Sequence, residues 1–302
     1  MANISFENRV AIVTGAGGGL GRTYALELAA RGAKVVVNDL GGARDGSGGS
    51  ATAAERVVEE IKAAGGEAVP NADSVATPEG GQNIVQTALD AFGTVDIVIN
   101  NAGILRDKSF AKMEVSDIEL VLDVHLNGAF YVSQPAFKVM KEKGYGRFVH
   151  TSSNSGLFGN FGQANYGAAK LGIAGLSHVL AIEGAKNNIK SNCIAPVART
   201  RMTEELMGDF NKFLDPELVT PMVVFLASEA CDLTHEIYSA AAGRYARVFL
   251  GLNTGWFAGA GNAPSAEDIV DHLDQIRDTS EFIIPANSGD ELGQLFSLMS
   301  GS

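Results

Sequence analysis

Residues 10–28 read VAIVTGAGGGLGRTYALEL, and the reading of this stretch decides the fold. Val10 to Val13 form a short, continuous apolar block, the pattern of a strand buried on both faces. Thr14 follows, then a glycine-rich turn in which Gly15, Gly19 and Gly21 have the spacing Gly-x-x-x-Gly-x-Gly, and then Tyr24, Ala25 and Leu28 fall in helical register. Glycines set between a strand and a helix let the backbone approach a pyrophosphate, which then rests on the N-terminal amides of the helix. The shorter Gly-x-Gly-x-x-Gly form is not met from Gly15, because position 20 is Leu20.

Similar apolar blocks recur outward from this unit, at Val35 to Val37, Val95 to Ile99, Arg147 to His150 and Ile189 to Ile194. Amphipathic stretches lie between them. Ala53, Val57, Val58 and Ile61 share one helical face while Glu55, Arg56, Glu59 and Lys62 share the other; Ile84, Val85, Ala88, Leu89 and Phe92 make a second such face. Ser116 followed by Glu119 has capping-box spacing and predicts a helix start ahead of Leu120, Val121 and Val124. Strands alternating with helices predict an α/β fold with a doubly wound parallel sheet. No Pro-rich or Ser-rich linker interrupts the pattern, so residues 1–264 are expected to form one domain, with GGARDGSGGS at 41–50 as a loop insertion inside it. Residues 265–302 are expected to form an acidic C-terminal extension with a helix around Ala266 to Ile276.

Composition excludes several classes. Glycine accounts for 36 of 302 residues without a Gly-X-Y period, which rules out collagen and favours a backbone with many special turns. A formal charge of −12 makes a nucleic-acid partner a poor expectation, and most of that charge sits after residue 264. Cys193 and Cys231 stand apart, with no spacing that suggests a disulfide framework or a metal site, and read as buried free thiols. The start, MANISFENRV, has no basic n-region or apolar h-region, and no apolar run reaches the roughly 18 residues of a spanning helix. The end, LMSGS, carries neither a CaaX box nor an SKL-type address. The expectation is a cytoplasmic protein without a membrane partner.

Asp39 stands at the end of the second apolar block, where a carboxylate accepts both hydroxyls of an adenosine ribose and repels a 2′-phosphate, favouring NAD over NADP. The competing reading is a turn-forming Asp before Gly41 and Gly42, and Arg22 or Arg44 would suit a 2′-phosphate. Further on come Asn100-Asn101-Ala102-Gly103, Ser152-Ser153 and Tyr166-Gly-Ala-Ala-Lys170. Tyr166 and Lys170 project from one helical face, one turn apart. A free Tyr has a pKa near 10, and a neighbouring ammonium with a bound cofactor would bring it toward neutrality, where it serves as a general acid/base.

These four elements, in this order, resemble the short-chain dehydrogenase/reductase family over roughly residues 6 to 240. The resemblance implies a Rossmann-like sheet of about seven strands and a nicotinamide cofactor. It assigns Ser153 to orient and polarise the carbonyl, Tyr166 to exchange the proton, and Lys170 to lower the Tyr pKa and hold the nicotinamide ribose. The implied cofactor set is Gly15, Gly19, Leu20, Gly21, Asp39, Asp73, Ser74, Asn101, Ala102, Gly103, Pro196 and Ala198, with Tyr166 and Lys170. Two departures stand out: His125 occupies the place of a family Asn that holds a relay water, and Val197 follows Pro196 where the family commonly has Gly. VVVNDLGG, NNAGILRDKSF, HLNGAF and GNFGQANYGAAKLGIAGL further resemble the (3R)-hydroxyacyl-CoA dehydrogenase units of the family. That implies NAD-dependent oxidation of a (3R)-hydroxyacyl-CoA to the 3-ketoacyl-CoA by a stand-alone enzyme. Rivals are an NADPH-dependent ketoacyl reductase, a 17β-hydroxysteroid dehydrogenase, and, from His125 and Val197, a non-catalytic nucleotide-binding scaffold. Arg106, Lys108, Arg199, Arg201 and Lys212 suit a basic lip for CoA phosphates. The apolar residues Met202, Leu206, Met207, Phe210 and Phe213 between Ala198 and Leu214 suit equally a mobile lid over an acyl chain or a helix packed on its neighbour. The family resemblance also implies a homodimer or homotetramer, assembled through helices near residues 116–142 and 164–186.

Overall fold

A computed structural model describes residues 4–199 and 212–300. The chain divides into two compact units, Met1–Arg247 and Val248–Ser302. The first is built on β1 (Val10–Thr14), β2 (Lys34–Asn38), β3 (Glu67–Asn71), β4 (Ile97–Asn100), β5 (Gly146–Thr151), β6 (Ile189–Val197), β7 (Ile237–Ala241) and β8 (Arg244–Val248), whose order in the sheet is 3-2-1-4-5-6-7-8. Every pairing from β3 to β7 is parallel. Strand order reverses beside β1, which pairs with β2 on one side and β4 on the other, and the crevice at the C-terminal ends of these strands is where ligands bind in open α/β sheets.

The helices are α1 (Gly19–Ala30), α2 (Thr52–Ala63), α3 (Pro78–Phe92), α4 (Val115–Leu122), α5 (Gly128–Lys143), α6 (Asn154–Phe158), α7 (Ala164–Gly184) and α8 (Thr220–Ala227). One core layer joins Val13, Val35 and Ile97 of the sheet to Leu28 of α1, Val57 and Ile61 of α2 and Val223 of α8. Every residue of β1, β4 and β5 is buried, which is why these strands read as unbroken apolar runs. Cys193 and Cys231 are free and buried, and burial pushes the Cys193 thiol up to about 12.

The structure adds three strands to the five apolar blocks, β3, β7 and β8. β3 contains Glu67 and Pro70 and buries only Ala68 and Asn71, as an edge strand tolerates. β7 and β8 are joined by Ala242 and Gly243, both with positive φ (49° and 78°), the two-residue turn that matches a hairpin's twist, and this hairpin brings the sheet to eight strands. The capping box also differs from expectation: Glu114 and Asp117 form it, two residues ahead of Ser116 and Glu119, because Lys108 and Arg106 hold the Asp117 carboxylate at the first turn of α4.

The second unit begins earlier than residue 265. Its strands β9 (Leu252–Asn253) and β10 (Phe282–Ile283) pair antiparallel, tying the segment after Val248 to the acidic tail. The helix expected over 266–276 is two, α9 (Ala266–Asp271) and α10 (Leu273–Arg277), broken at His272, whose ring stacks on Trp256 and whose Nδ1 lies 2.7 Å from the Asp268 carbonyl. α11 (Ser288–Ser300) completes it.

Candidate active site

The C-terminal ends of β1 and β4 are stitched together by short bonds. The Thr14 hydroxyl accepts the backbone N–H of Asn101 (3.0 Å) and Ala102 (3.1 Å), and the Asn101 side chain donates to the carbonyls of Thr14 (3.0 Å) and Gly15 (3.2 Å). Contact this close requires glycine: a Cβ on Gly15, whose φ is +64°, would lie 2.8 Å from the Ala102 Cα, and one on Gly21 would lie 2.3 Å from the Gly15 carbonyl oxygen. Gly18, the N-cap of α1, supplies no side-chain cap and has open space around it. The first amides of α1 therefore face the crevice unpaired, at the positive end of a 12-residue helix, which is a seat for a pyrophosphate.

That crevice is a cavity of about 680 Å³ that runs from this seat to the Tyr-Lys pair. Gly15, Gly19, Leu20, Asp39, Asp73 and Ser74 line one end, and Asn101, Ala102, Gly103, Pro196 and Ala198 its middle. His125, Ser153, Tyr166 and Lys170 line the other end. Gly21 alone among the expected residues sits beneath the lining, packed on the loop that forms it.

Asp39 satisfies both readings of its sequence position. Its Oδ1 accepts Gly41 N–H at 2.7 Å, a turn-forming bond, while Oδ2 accepts Gly17 N–H at 2.7 Å and so braces the glycine loop. Each carboxylate oxygen keeps a lone pair for a ribose hydroxyl. Arg22 is paired with Glu60 on α2, whereas Arg44 lines the cavity. The glycine cradle, the open helix terminus and this carboxylate together fit a nicotinamide dinucleotide.

At the other end, Ser153 caps α6, its hydroxyl accepting Ser155 N–H at 3.1 Å. Tyr166 and Lys170 stand one turn apart on α7, as the spacing predicted. Their electrostatics differ from expectation. Burial raises the Tyr166 pKa above the ordinary phenol value, with a hydrogen bond from Ser153 acting against it and the Asp107 charge adding to it. Lys170, fully buried, is pushed down to about 7 by desolvation; its Nζ donates to the Thr151 carbonyl at 2.6 Å and lies 5.5 Å from the Tyr166 ring centre. Burial therefore outweighs any lowering of the phenol by this lysine.

His125 sits on one turn of π-helix, Asp123–Asn127, between α4 and α5, an element that marks functional sites more often than chance. Its Nε2 lies 3.0 Å from the amide nitrogen and 2.8 Å from the carbonyl oxygen of Ile104, its ring meets Tyr166 edge-on at 5.1 Å, and its Nδ1 is buried without a partner. The ring fills the space that a side chain at position 103 would need: a Cβ on Gly103 would fall 2.4 Å from the imidazole Cε1. Desolvation, with the nearby Lys170 charge, holds His125 well below its ordinary pKa and keeps it neutral.

His150 on β5 is likewise buried and pushed down to about 3 by desolvation. An unfolded chain binds protons on both histidines below about 6.5, where burial opposes protonation in the folded chain, so their contribution to stability is complete above pH 6.5 and is lost as pH falls, for His150 toward 3. Between pH 7 and pH 5, where carboxylates change little, His150 alone costs ~2 kcal/mol, and His125 acts in the same direction. Urea midpoints at the two pH values should differ accordingly, and coincident midpoints would contradict neutral burial.

The basic lip is already engaged. Asp117 pairs with Lys108 (2.7 Å) and Arg106 (3.4 Å), and Asp215 pairs with Arg199 (2.5 Å). Lys212 Nζ lies 5.2 Å from the Phe213 ring centre. Arg201, Met202, Leu206, Met207 and Phe210 lie outside the described residues. Sequence reasoning missed Gln163, Asn160 and Phe158, which line the Tyr166 end, and Asn165 behind it. Only the loop glycines Gly159 and Gly162, both with φ of 83°, hint at a shaped wall there.

The comparisons with known proteins agree with this arrangement. The chain is 51% identical over 275 residues to a short-chain type dehydrogenase/reductase of Mycobacterium tuberculosis, covering 91% of this chain and 96% of that one. It is 47% identical over 294 residues to peroxisomal multifunctional enzyme type 2 of Drosophila melanogaster, covering 97% of this chain and 48% of its relative, about half the length. The solved structure of that full-length enzyme superposes with a TM-score of 0.83 at 38% identity, over 99% of this chain and 50% of the other. A 7α-hydroxysteroid dehydrogenase complexed with NADH and 7-oxoglycochenodeoxycholic acid superposes with a TM-score of 0.73 at 27% identity, over 80% of this chain and 98% of that one. The profile of the short chain dehydrogenases matches residues 9–209, two thirds of the chain, and with it the fold and the crevice find one explanation: the chain belongs to the short-chain dehydrogenase family, oxidoreductases acting on CH–OH groups.

Proposed function

We propose that the chain oxidises the 3-hydroxyl of a (3R)-hydroxyacyl-CoA to the 3-ketone with NAD. The observation that carries the substrate class is similarity to multifunctional enzyme type 2 over 97% of this chain, well beyond the cofactor-binding half. The preference for NAD rests on Asp39, whose carboxylate is fixed by two backbone amides where a 2′-phosphate would have to sit.

Bound nicotinamide supplies the hydride acceptor for the carbinol hydrogen. The chain's own groups do the rest. Ser153 holds the substrate oxygen, and Tyr166 Oη takes the hydroxyl proton as general base. The phenol must first lose its own proton against the pull of burial, and Lys170, once charged, is a positive group 5.5 Å from the ring that favours that. His125, neutral and edge-on to Tyr166, orients the phenol and presents its unpartnered Nδ1 as a hydrogen-bonding atom beside it. Exposed Leu171, Val179 and Ile182 along α7 support a homodimer or homotetramer, as the family resemblance implies.

The test is a panel of (3R)- and (3S)-hydroxyacyl-CoA esters of several lengths beside 17β-hydroxysteroids, each with NAD and with NADP, reading reduced cofactor. Turnover of (3R)-esters with NAD is expected. Exclusive use of free steroids would overturn the substrate class, and a preference for NADP would overturn the role of Asp39 and point to Arg44.

A further inference from the structure

We propose that Asn165 is a positioning residue for this reaction: its carboxamide clamps the first turn of α7 to two other segments and so sets where the Tyr166 phenol stands. The inference rests on Tyr166 being the general base.

Asn165 is 3% exposed and directly precedes Tyr166. Its Nδ2 donates to the carbonyls of Arg106 (3.2 Å) and Asp117 (3.1 Å), and its Oδ1 accepts the Tyr166 backbone N–H at 2.8 Å. Both donors and one acceptor are thus committed, and the last bond takes up an amide that the start of a helix leaves unpaired. One side chain ties together the segment after β4, the first turn of α4 and the first turn of α7. Gln163, the N-cap of α7, adds a second tie from the same turn through Nε2 to Asp107 Oδ2 at 2.8 Å.

The segment that receives these ties is itself anchored. Leu105 N–H donates to the Arg44 carbonyl (3.0 Å) and Arg106 Nε to the Asp45 carbonyl (2.9 Å), fastening it to the insertion at 41–50. Ile104, two residues from Arg106, holds the His125 ring. Phenol and imidazole are therefore referenced to one short stretch of backbone, which the edge-on contact between them requires. A displacement of about 1 Å at a reacting group costs up to ~100-fold in rate.

The experiment compares Asn165→Ala with the wild type, with Asn165→Ser as a milder variant that keeps one donor. Asn165→Ala should lower kcat about 10- to 100-fold and leave the Kd for NAD within about twofold. The alkaline-rising limb of kcat against pH should also move up by about half to one pH unit, because the Ser153 hydrogen bond that favours the phenolate is stretched. Asn165→Ser should fall between, and is the deciding variant where Asn165→Ala does not fold. An unmoved limb with a rate that follows only the folded fraction by circular dichroism would make Asn165 merely structural and overturn the proposal. Tyr166→Phe run alongside separates the two failures: activity in that variant sinks the general-base reading, whereas its inactivity beside an unmoved limb sinks the role of Asn165 alone.

Discussion

Tyr166→Phe should lose about 10²- to 10⁴-fold in kcat, the range supplied by a positioned general base, while binding NAD within about threefold of the wild type. The substitution removes one oxygen from a half-buried ring and leaves its edge contact with His125 in place. The pH profile adds a second reading. Burial holds the phenol above its ordinary pKa in the free enzyme, so wild-type oxidation should climb as pH rises and the phenol ionises. In the Phe variant the residual rate should lose that climb. A residual rate that still rises with the wild-type midpoint would assign the titration to another group, with Lys170, at about 7, the first to examine.

Gly21→Ala should be strongly damaging in the cofactor half. The added carbon would lie 2.3 Å from the Gly15 carbonyl oxygen, 2.6 Å from Asn101 Nδ2 and 2.9 Å from the Ala16 Cα. Two of those three are backbone atoms and cannot swing aside, so the loop itself has to move, at a cost of about 1–3 kcal/mol in stability. That loop carries the bonds between Thr14, Gly15 and Asn101, so its displacement also reshapes the pyrophosphate seat. Titration calorimetry should show NAD binding weakened at least about tenfold, beside a lowered thermal midpoint. Unchanged affinity would mean that the seat does not depend on the packing under it.

The sheet was legible where burial is two-sided. Val10 to Val13, Val95 to Ile99 and Arg147 to His150 read as strands because both their faces are covered. β3 and β8 were not legible, since β3 carries Glu67 and Pro70 and β8 carries Arg244 and Arg247, and neither keeps the unbroken apolar run that marks a central strand. The site divides in the same way. Ser153, Tyr166, Lys170 and the glycine loop could be read because their chemistry requires particular side chains at fixed spacing. Asn165 could not, because its partners are backbone carbonyls 59 and 48 residues away, and a carbonyl leaves no mark on the sequence. The direction of the Tyr166 shift was hidden for a related reason: spacing shows that a lysine is near, but only the packed structure shows how far both groups are withdrawn from water.

The imidazole of His125 and the bare Cα of Gly103 occupy one shared volume, with 2.4 Å between the ring and the place a methyl would take. Neither position can therefore be altered as an independent variable. Gly103→Ala should be poorly tolerated alone and partly restored by His125→Ala, giving a double-mutant cycle with a coupling of roughly 0.5–3 kcal/mol. Engineering that trades the histidine for a larger or smaller group must treat the two positions as a single locus.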